Sequence, residues 1–418
     1  MISLAKREDC CGCSACEQAC PAHCITLSAD EEGFCYPLVN RDACINCCLC
    51  EKVCPVKNPE KERRPIRVFA AINVEEQVRQ RSSSGGVFTP IAESVLAKGG
   101  FVFGVRFDAD WNVVFDHATD SSQLQFFRGS KYVQADMRNV FTEIQDCLRR
   151  QKPVLYVGTP CQVAGLRKFL GRDYDQLLLV DILCEGVPSP KLWKRYLHEE
   201  LDRLCKRNSR HGVKLSQENV TITNVSFRNK EKGWKSYAFS LSASQVSKDG
   251  NIVRELSPYV GRNSMYLQAL IHYLTLRPIC YECPFKSSRS HSDITIADYW
   301  GIQHQHPEMD DDKGTSMVYL NTEKGVKAFP YGKYRLLETH YEEALCFNNV
   351  ESSVKKHPSR DLFYAKLDET KSVTSLMKHY TFPLTYILKE RAKSIFFFFF
   401  PGNTYWQLQK RWKRFVKR

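Results

Sequence analysis

The chain has 418 residues, 43% hydrophobic and 26% charged, the proportions of a folded globular protein and not of a disordered one. That length allows two domains and a core that needs no disulfides. A net charge of +13 does not make it a nucleic-acid binder, because nine basic residues against one acidic fall within 386–418 and leave the body only mildly basic.

Cysteine is the anomaly, with twelve of nineteen placed before position 55. The opening MISLAKREDC has no apolar leader-like run. The expectation is a reducing cytoplasm in which grouped thiols hold metal instead of forming disulfides.

Residues 9–21 read DCCGCSACEQACP, and 44–55 read CINCCLCEKVCP. Both follow the Cys-x2-Cys-x2-Cys-x3-Cys-Pro run of bacterial ferredoxins. Two-residue gaps let a tight loop aim three thiolates at one cubane, while the cysteine before proline reaches the other cluster. The spacing therefore assigns one [4Fe-4S] cluster to Cys10, Cys13, Cys16 and Cys54, and a second to Cys44, Cys47, Cys50 and Cys20. Zinc knuckles are the competing reading, but zinc sites rarely repeat four such closely spaced cysteines with a terminal Cys-Pro. Cys11 and Cys48 are read as equivalent positions in the two combs, small buried fillers like Cys24 and Cys35.

The expected module covers 1–60, with strands and a turn at Gly33 between the combs. KNPEKERRPIR, with two prolines, places a linker at 61–67. Beyond it come a strand at 68–74, a Ser/Gly loop, and a helix stopping at Gly99-Gly100. FVFGVRFDADWNVVFDHA predicts a hairpin about 108–112. PVLYV, GTPC and QVAGLRKFL form a strand–loop–helix unit ending at Gly171. LLLVDIL and CEGVPSP form another, whose helix starts with Ser189 as N-cap and Pro190 in the first turn. VTITNVSFRN and KSYAFSLSAS predict a further strand pair. The fold class is thus an α+β ferredoxin-like N-terminal module followed by a mixed α/β domain over 68–378, which the resemblance described below implies is flavin-binding. Neither a dinucleotide G-x-G-x-x-G nor a P-loop is present.

Cys161 and Cys184 each follow an apolar strand and precede a helix, which puts both on the ligand-collecting edge of an open sheet. Cys280 and Cys283 add two thiols from one loop. Three readings of this set stay open: a third [4Fe-4S] cluster, redox-active thiols, or structural zinc. Cys147, Cys205 and Cys346 read as buried small residues.

SSSGGVF (82–88), GSKYVQ (129–134), GTPCQVAGL (158–166), CEGVPSPKLW (184–193), FRNKEKGW (227–234), RPICYECPFK (277–286) and SDITIADYWGI (292–302) occur in this order. Together they resemble the coenzyme F420 hydrogenase/dehydrogenase beta-subunit family, flavoproteins many of which carry a fused amino-terminal ferredoxin module. The resemblance implies FAD beside the cysteine edge, with Ser83, Ser84, Gly85, Gly86, Lys131, Tyr132, Gly158 and Thr159 binding it and no catalytic residue assigned. A small-residue loop before a helix can bring backbone N–H groups to a pyrophosphate. Two departures stand out. The family usually has Cys-His-Gly-Val-Pro where this chain has Cys184-Glu185-Gly186, and Gly-Asp-Phe-Trp where it has Ala297-Asp298-Tyr299-Trp300.

The acidic run HPEMDDDKGTS (306–316) reads as a solvated loop. In the tail, Ile395 and Phe396 to Phe400 are too few to span a bilayer, which takes about 20 residues. Tyr405, Leu408, Trp412 and Phe415 share one helical face among basic residues, a pattern suited to an anionic membrane surface or a docking partner. The tail is taken as 379–418. The functional expectation is an iron–sulfur flavoprotein oxidoreductase with a ferredoxin or other redox protein as partner, a small-molecule donor or acceptor (an F420-like deazaflavin or another organic molecule), and no nucleic acid. Its place is cytoplasmic, with peripheral contact at the inner membrane face. An electron-transfer subunit without its own substrate site and a cluster-storing scaffold are the alternatives.

Overall fold

The computed structural model describes residues 2–4, 6–209, 215–247, 249–261, 264–348 and 351–382. The tail expectation, from Ile395 through Phe415, lies outside the described residues. Among these residues no helix is long and apolar enough to cross a membrane.

The two combs build a repeated local shape. Gly12 and Asn46 take positive φ (+70° and +54°), as do Ser14 and Cys48 (+65° and +58°), and the short helices Ala15–Gln18 and Leu49–Lys52 follow. Counting from each first cysteine, Cys48 therefore matches Ser14, and Cys11 matches Ile45. The expected equivalence of Cys11 and Cys48 is wrong, and so is the filler reading of Cys48, which is exposed; Cys11 and Cys24 are buried and Cys35 half-buried. Between the combs, β1 (Ile25–Ala29) pairs antiparallel with β2 (Cys35–Val39), from Ile25↔Val39 to Ala29↔Cys35. Gly33 closes the turn at φ +86°, and a Cβ there would collide with the Cβ of Lys191, so only glycine lets the helix Pro190–Asn208 approach.

The body is built on an eight-stranded mixed sheet. In chain order its strands are β3 (Arg67–Asn73), β4 (Phe101–Phe107), β5 (Val113–Ala118), β6 (Val154–Gly158) and β7 (Leu177–Ile182), then β12 (Ile294–Asp298), β13 (Ser316–Leu320) and β14 (Tyr334–Thr339). Their spatial order is β14-β3-β13-β12-β7-β6-β4-β5. β12, β7, β6 and β4 run parallel, in register at Ile294↔Val180, Leu177↔Val154 and Val154↔Phe101. The apolar runs VLYVG and LLLVDI suit strands covered on both faces. A smaller antiparallel sheet joins β8 (Val220–Asn229), β9 (Ala238–Val246), β10 (Ile252–Glu255) and β11 (Tyr259–Gly261).

The expected helix after Ser189 forms as Pro190–Asn208, with the Leu192 amide donating to Ser189 Oγ at 3.3 Å. It buries Leu192, Trp193, Tyr196 and Leu197 in a cluster that also holds Phe34 and Tyr36 of the amino-terminal hairpin. Cys11, Cys13, Ala15 and Val53 share a second cluster with Phe141, Tyr156 and Val163. The comb region and the body thus have common cores. A bidentate ion pair, Arg360 to Glu32, reinforces the junction. Residues 61–67 are laced to the body, the Arg63 amide donating to Ser287 O (3.2 Å) and the Ile66 amide to Leu320 O (2.8 Å).

Candidate functional site

Two cavities open inside the comb region. One, of ≈ 360 Å³ with open solvent included, is lined by Cys10, Cys13, Cys16 and Cys54 together with Cys11, Gly12 and Ser14. The other, of ≈ 320 Å³, is lined by Cys20, Cys44, Cys47 and Cys50 with Cys24, Cys48 and Ile45. Of the cysteines in the Cys-x2-Cys-x2-Cys-x3-Cys pattern, each cavity takes the first three of one comb and the last of the other. Burial, then the neighbouring Cys10 and Cys54, push the Cys16 thiol well above its ordinary range. Cys13 and Cys54 are buried at the first cavity, whereas Cys47 is exposed at the second. Ile45, 65% exposed, stands in the wall of that outer cavity.

The second cysteine set gathers where β6 and β7 end. Cys161 sits in the first turn of the helix Pro160–Leu170, capped by Thr159, whose hydroxyl lies 3.2 Å from Cys161 Sγ. Cys184 follows β7. Its carbonyl accepts from Lys286 Nζ at 2.8 Å, and the Arg277 amide donates to Val187 O at 2.9 Å, which stitches the 277–286 loop onto the 184–188 loop. Burial, then Cys280, Cys161 and Cys283, raise the Cys184 thiol. Cys280 is pushed up to about 12 and Cys283 to about 11, by burial first and then by neighbouring thiols. Cys161 is also raised, first by a hydrogen bond with Cys11. That contact joins this set to the inner comb cavity.

The 82–86 loop lies on the same sheet edge. Ser83 Oγ accepts from the Ser130 amide at 2.7 Å, Ser84 Oγ donates to Thr315 O at 2.9 Å, and the Gly85 amide donates to Ser316 Oγ at 2.9 Å. A Cβ on Gly85 would collide with Ala71 O, and Gly86 has φ +83°. Lys131 Nζ donates to Arg128 O and Gly129 O, and burial lowers its ammonium to about 7. The Tyr132 ring meets Phe227 edge-on at 5.6 Å, and its hydroxyl accepts from Arg228 Nη1 at 3.2 Å. Gly158 ends β6, and the Thr159 amide donates to Gln162 Oε1 at 2.8 Å.

Sequence reasoning missed Arg228, Lys230 and Asp298. Arg228 is buried, paired with Asp298 at 2.9 Å, and lies 3.9 Å over the Tyr237 ring; its Nε has no partner among the described residues. Lys230 Nζ donates to Arg79 O, Ser84 O and Lys313 O, and burial, then Arg79 and Arg228, lower it to about 8. In the sequence both sit in FRNKEKGW, a segment that carries the resemblance but names no ligand for either side chain.

The acidic loop is tied down, unlike the solvated loop expected. Asp311 is bound by buried Arg79, and Asp310 by Lys235. Among the described residues no group of three His, Cys, Asp or Glu side chains converges on a single-ion site. Of the three cysteines read as buried, Cys205 is buried, Cys147 half-buried and Cys346 exposed.

Residues 151–343 match the family model that describes the C terminus of the coenzyme F420 hydrogenase/dehydrogenase beta subunit. No curated protein matches the chain. Among solved structures it is similar to a chain of the xenon-derivatized F420-reducing [NiFe] hydrogenase complex from Methanosarcina barkeri, at 16% identity and TM-score 0.41, over 80% of this chain and 94% of that one. The matched segment carries Cys161, Cys184, Cys280 and Cys283, and over it the chain is similar to the coenzyme F420 hydrogenase/dehydrogenase beta subunit.

Proposed function

We propose that this protein is an iron–sulfur flavoprotein oxidoreductase in which the amino-terminal combs hold two [4Fe-4S] clusters and the sheet edge holds FAD. The observation that carries the proposal is the composition of the two cavities: in the wall of each stand all four cysteines that the ferredoxin spacing assigns to one cluster, drawn three-to-one from the two combs. That donor set suits a cubane, which needs four thiolates around a volume. Cys10, Cys13, Cys16 and Cys54 would hold the inner cluster, and Cys20, Cys44, Cys47 and Cys50 the outer one. Cys161, Cys184, Cys280 and Cys283 would hold a third. Bound clusters supply single-electron transfer and a flavin supplies two-electron chemistry, which explains their union in one chain.

The phosphate end of a dinucleotide fits the 82–86 edge. Lys131 and Lys230 are bonded by carbonyls alone among the described residues, and Arg228 keeps an orphaned Nε. An anion there would satisfy desolvated cations. The Gly85 amide is spent on Ser316, so Ser83, Ser84 and the two lysines carry this role, while Gly85 and Gly86 shape the loop. Gly158, Thr159 and Tyr132 complete the edge.

The exposed Ile45, Cys47 and Cys48 in the wall of the outer cavity favour a second element of the reading, in which a redox protein such as a ferredoxin docks there. A small organic donor or acceptor, an F420-like deazaflavin among them, would exchange electrons at the sheet edge. The basic aromatic tail would hold the protein at an anionic membrane face inside the cell.

Anaerobic purification followed by iron, sulfide and flavin counts tests the proposal. At least about eight irons with acid-labile sulfide and one flavin per chain is expected. Stoichiometric zinc with negligible iron would overturn it. Turnover of the isolated chain with dithionite and organic acceptors separates an enzyme from an electron-transfer subunit.

A further inference from the structure

Among the described residues, four arginines have side chains that the fold buries almost completely. Three of them meet a carboxylate: Arg79 meets Asp311, Arg228 meets Asp298, and Arg360 meets Glu32. Arg277, at 0% exposure, does not. Its Nε donates to Cys10 O at 2.7 Å, its Nη1 to Gln134 Oε1 at 3.0 Å and its Nη2 to Cys35 O at 2.9 Å, all neutral acceptors. The Tyr36 ring lies 4.2 Å from the guanidinium carbon and the Phe34 ring 5.5 Å. No carboxylate among the described residues forms an ion pair with it. A guanidinium is a permanent cation, and burying one without a countercharge is strongly unfavourable.

The surroundings of Arg277 supply the missing charge only if the thiol sites are loaded. On one side it binds the backbone of Cys10, and a Cβ at Gly12 would stand 3.1 Å from its Nη1. On the other, its own carbonyl accepts from the Cys280 amide at 3.0 Å, and its positive charge acts on Cys161 and Cys280. It therefore stands between the inner comb cavity and the second cysteine set. An iron–sulfur core with four thiolates is a net anion and becomes more negative on reduction. A fixed cation beside it favours the reduced form, and charge is among the factors that set such potentials.

We propose that Arg277 is the buried countercharge of the inner cluster and of the neighbouring four-cysteine site, and that it raises their reduction potentials. It is a positioning residue, since it touches the ligand loops and not a substrate. The inference rests on the cluster reading above. The step it tunes is a one-electron reduction with no proton taken up: the oxidised core gains an electron from an external low-potential donor such as dithionite.

The test is an anaerobic, dye-mediated potentiometric titration of the full chain followed by electron paramagnetic resonance, on wild type, Arg277→Gln and Arg277→Lys, with iron counted in each. At the wild-type midpoint, Arg277→Gln should lower the reduced-to-oxidised ratio of at least one cluster by about tenfold, which is 59 mV for one electron. The outer cluster should not move. Arg277→Lys, which keeps the charge and loses the fork of donors, should stay within about threefold of wild type. Iron-replete Arg277→Gln with unchanged midpoints would overturn the proposal. Equal shifts in both variants, or loss of all iron in both, would also overturn it and make Arg277 a purely steric pin. Wild type without iron would instead defeat the cluster reading itself, so the two failures are distinguishable.

Discussion

Gly165 faces Cys13 so closely that a Cβ on it would lie 2.9 Å from both Cβ and Sγ of that cysteine. The helix Pro160–Leu170, which starts beside Cys161, is thereby held against the inner comb. Gly165→Val should push comb and helix apart. Overpacking of this kind costs about 1–3 kcal/mol, and the inner cluster should lose iron before the outer one. Unfolding in denaturant and iron analysis measure both effects; an iron-replete variant of wild-type stability would show that the contact is dispensable.

The crossed cavities predict non-additive losses. Cys10→Ala with Cys54→Ala should cost no more iron than either change alone, about four atoms per chain, because both thiols wall one cavity. Cys10→Ala with Cys20→Ala should cost about eight. Iron counts on the singles and doubles decide this, and the reverse pattern would assign each comb its own cluster.

Cys184→Ser separates the readings of the second cysteine set. With a third cluster, this variant loses about four irons and keeps both comb signals in its paramagnetic resonance spectrum. Unchanged iron with loss of turnover would favour a redox-active thiol at this position instead.

Lys131 predicts a pH dependence. Burial lowers its ammonium from the ordinary 10.5 to about 7, so it is charged below about pH 7 and neutral above. The folded apoprotein binds fewer protons than the unfolded chain between those values. Its stability therefore rises with pH across that window, and the burial cost is felt in full below about pH 7. An anionic cofactor needs the charge, so FAD should be retained more tightly at pH 6 than at pH 8, roughly tenfold or about 1.4 kcal/mol. Lys131→Met should weaken binding and flatten this profile. Fluorescence titration at both pH values provides the check.

The tail supports a prediction from sequence. The full chain should sediment with anionic vesicles at low salt, and a chain ending at Lys378 should not. Each basic residue near such a surface adds about 1 kcal/mol, and burial of Trp406, Trp412 and Phe415 adds roughly 25 cal/mol per Å² that salt does not screen. Equal binding by both forms would assign the tail to another role.

The sequence by itself determined what depends on short separations. Comb spacing defines which thiols a single loop can aim together, apolar runs beside Ser189-Pro190 and Gly171 define strand–loop–helix units, and the strands before Cys161 and Cys184 place both thiols on one edge. The hairpin predicted about 108–112 forms as β4 and β5. Only the tertiary structure decided what depends on distant partners. Cys48 looked like a buried filler, but a left-handed position at the start of a surface helix exposes it. The charged run HPEMDDDKGTS looked solvated, yet Asp311 is fastened to Arg79 across 232 residues, and Arg228 is tied to Asp298 across 70. Arg277 carries no local sign of its environment, because its acceptors Cys10 and Cys35 lie 267 and 242 residues away. Ligand spacing is a local property of the backbone, whereas burial and countercharge are set by whatever the rest of the chain packs against.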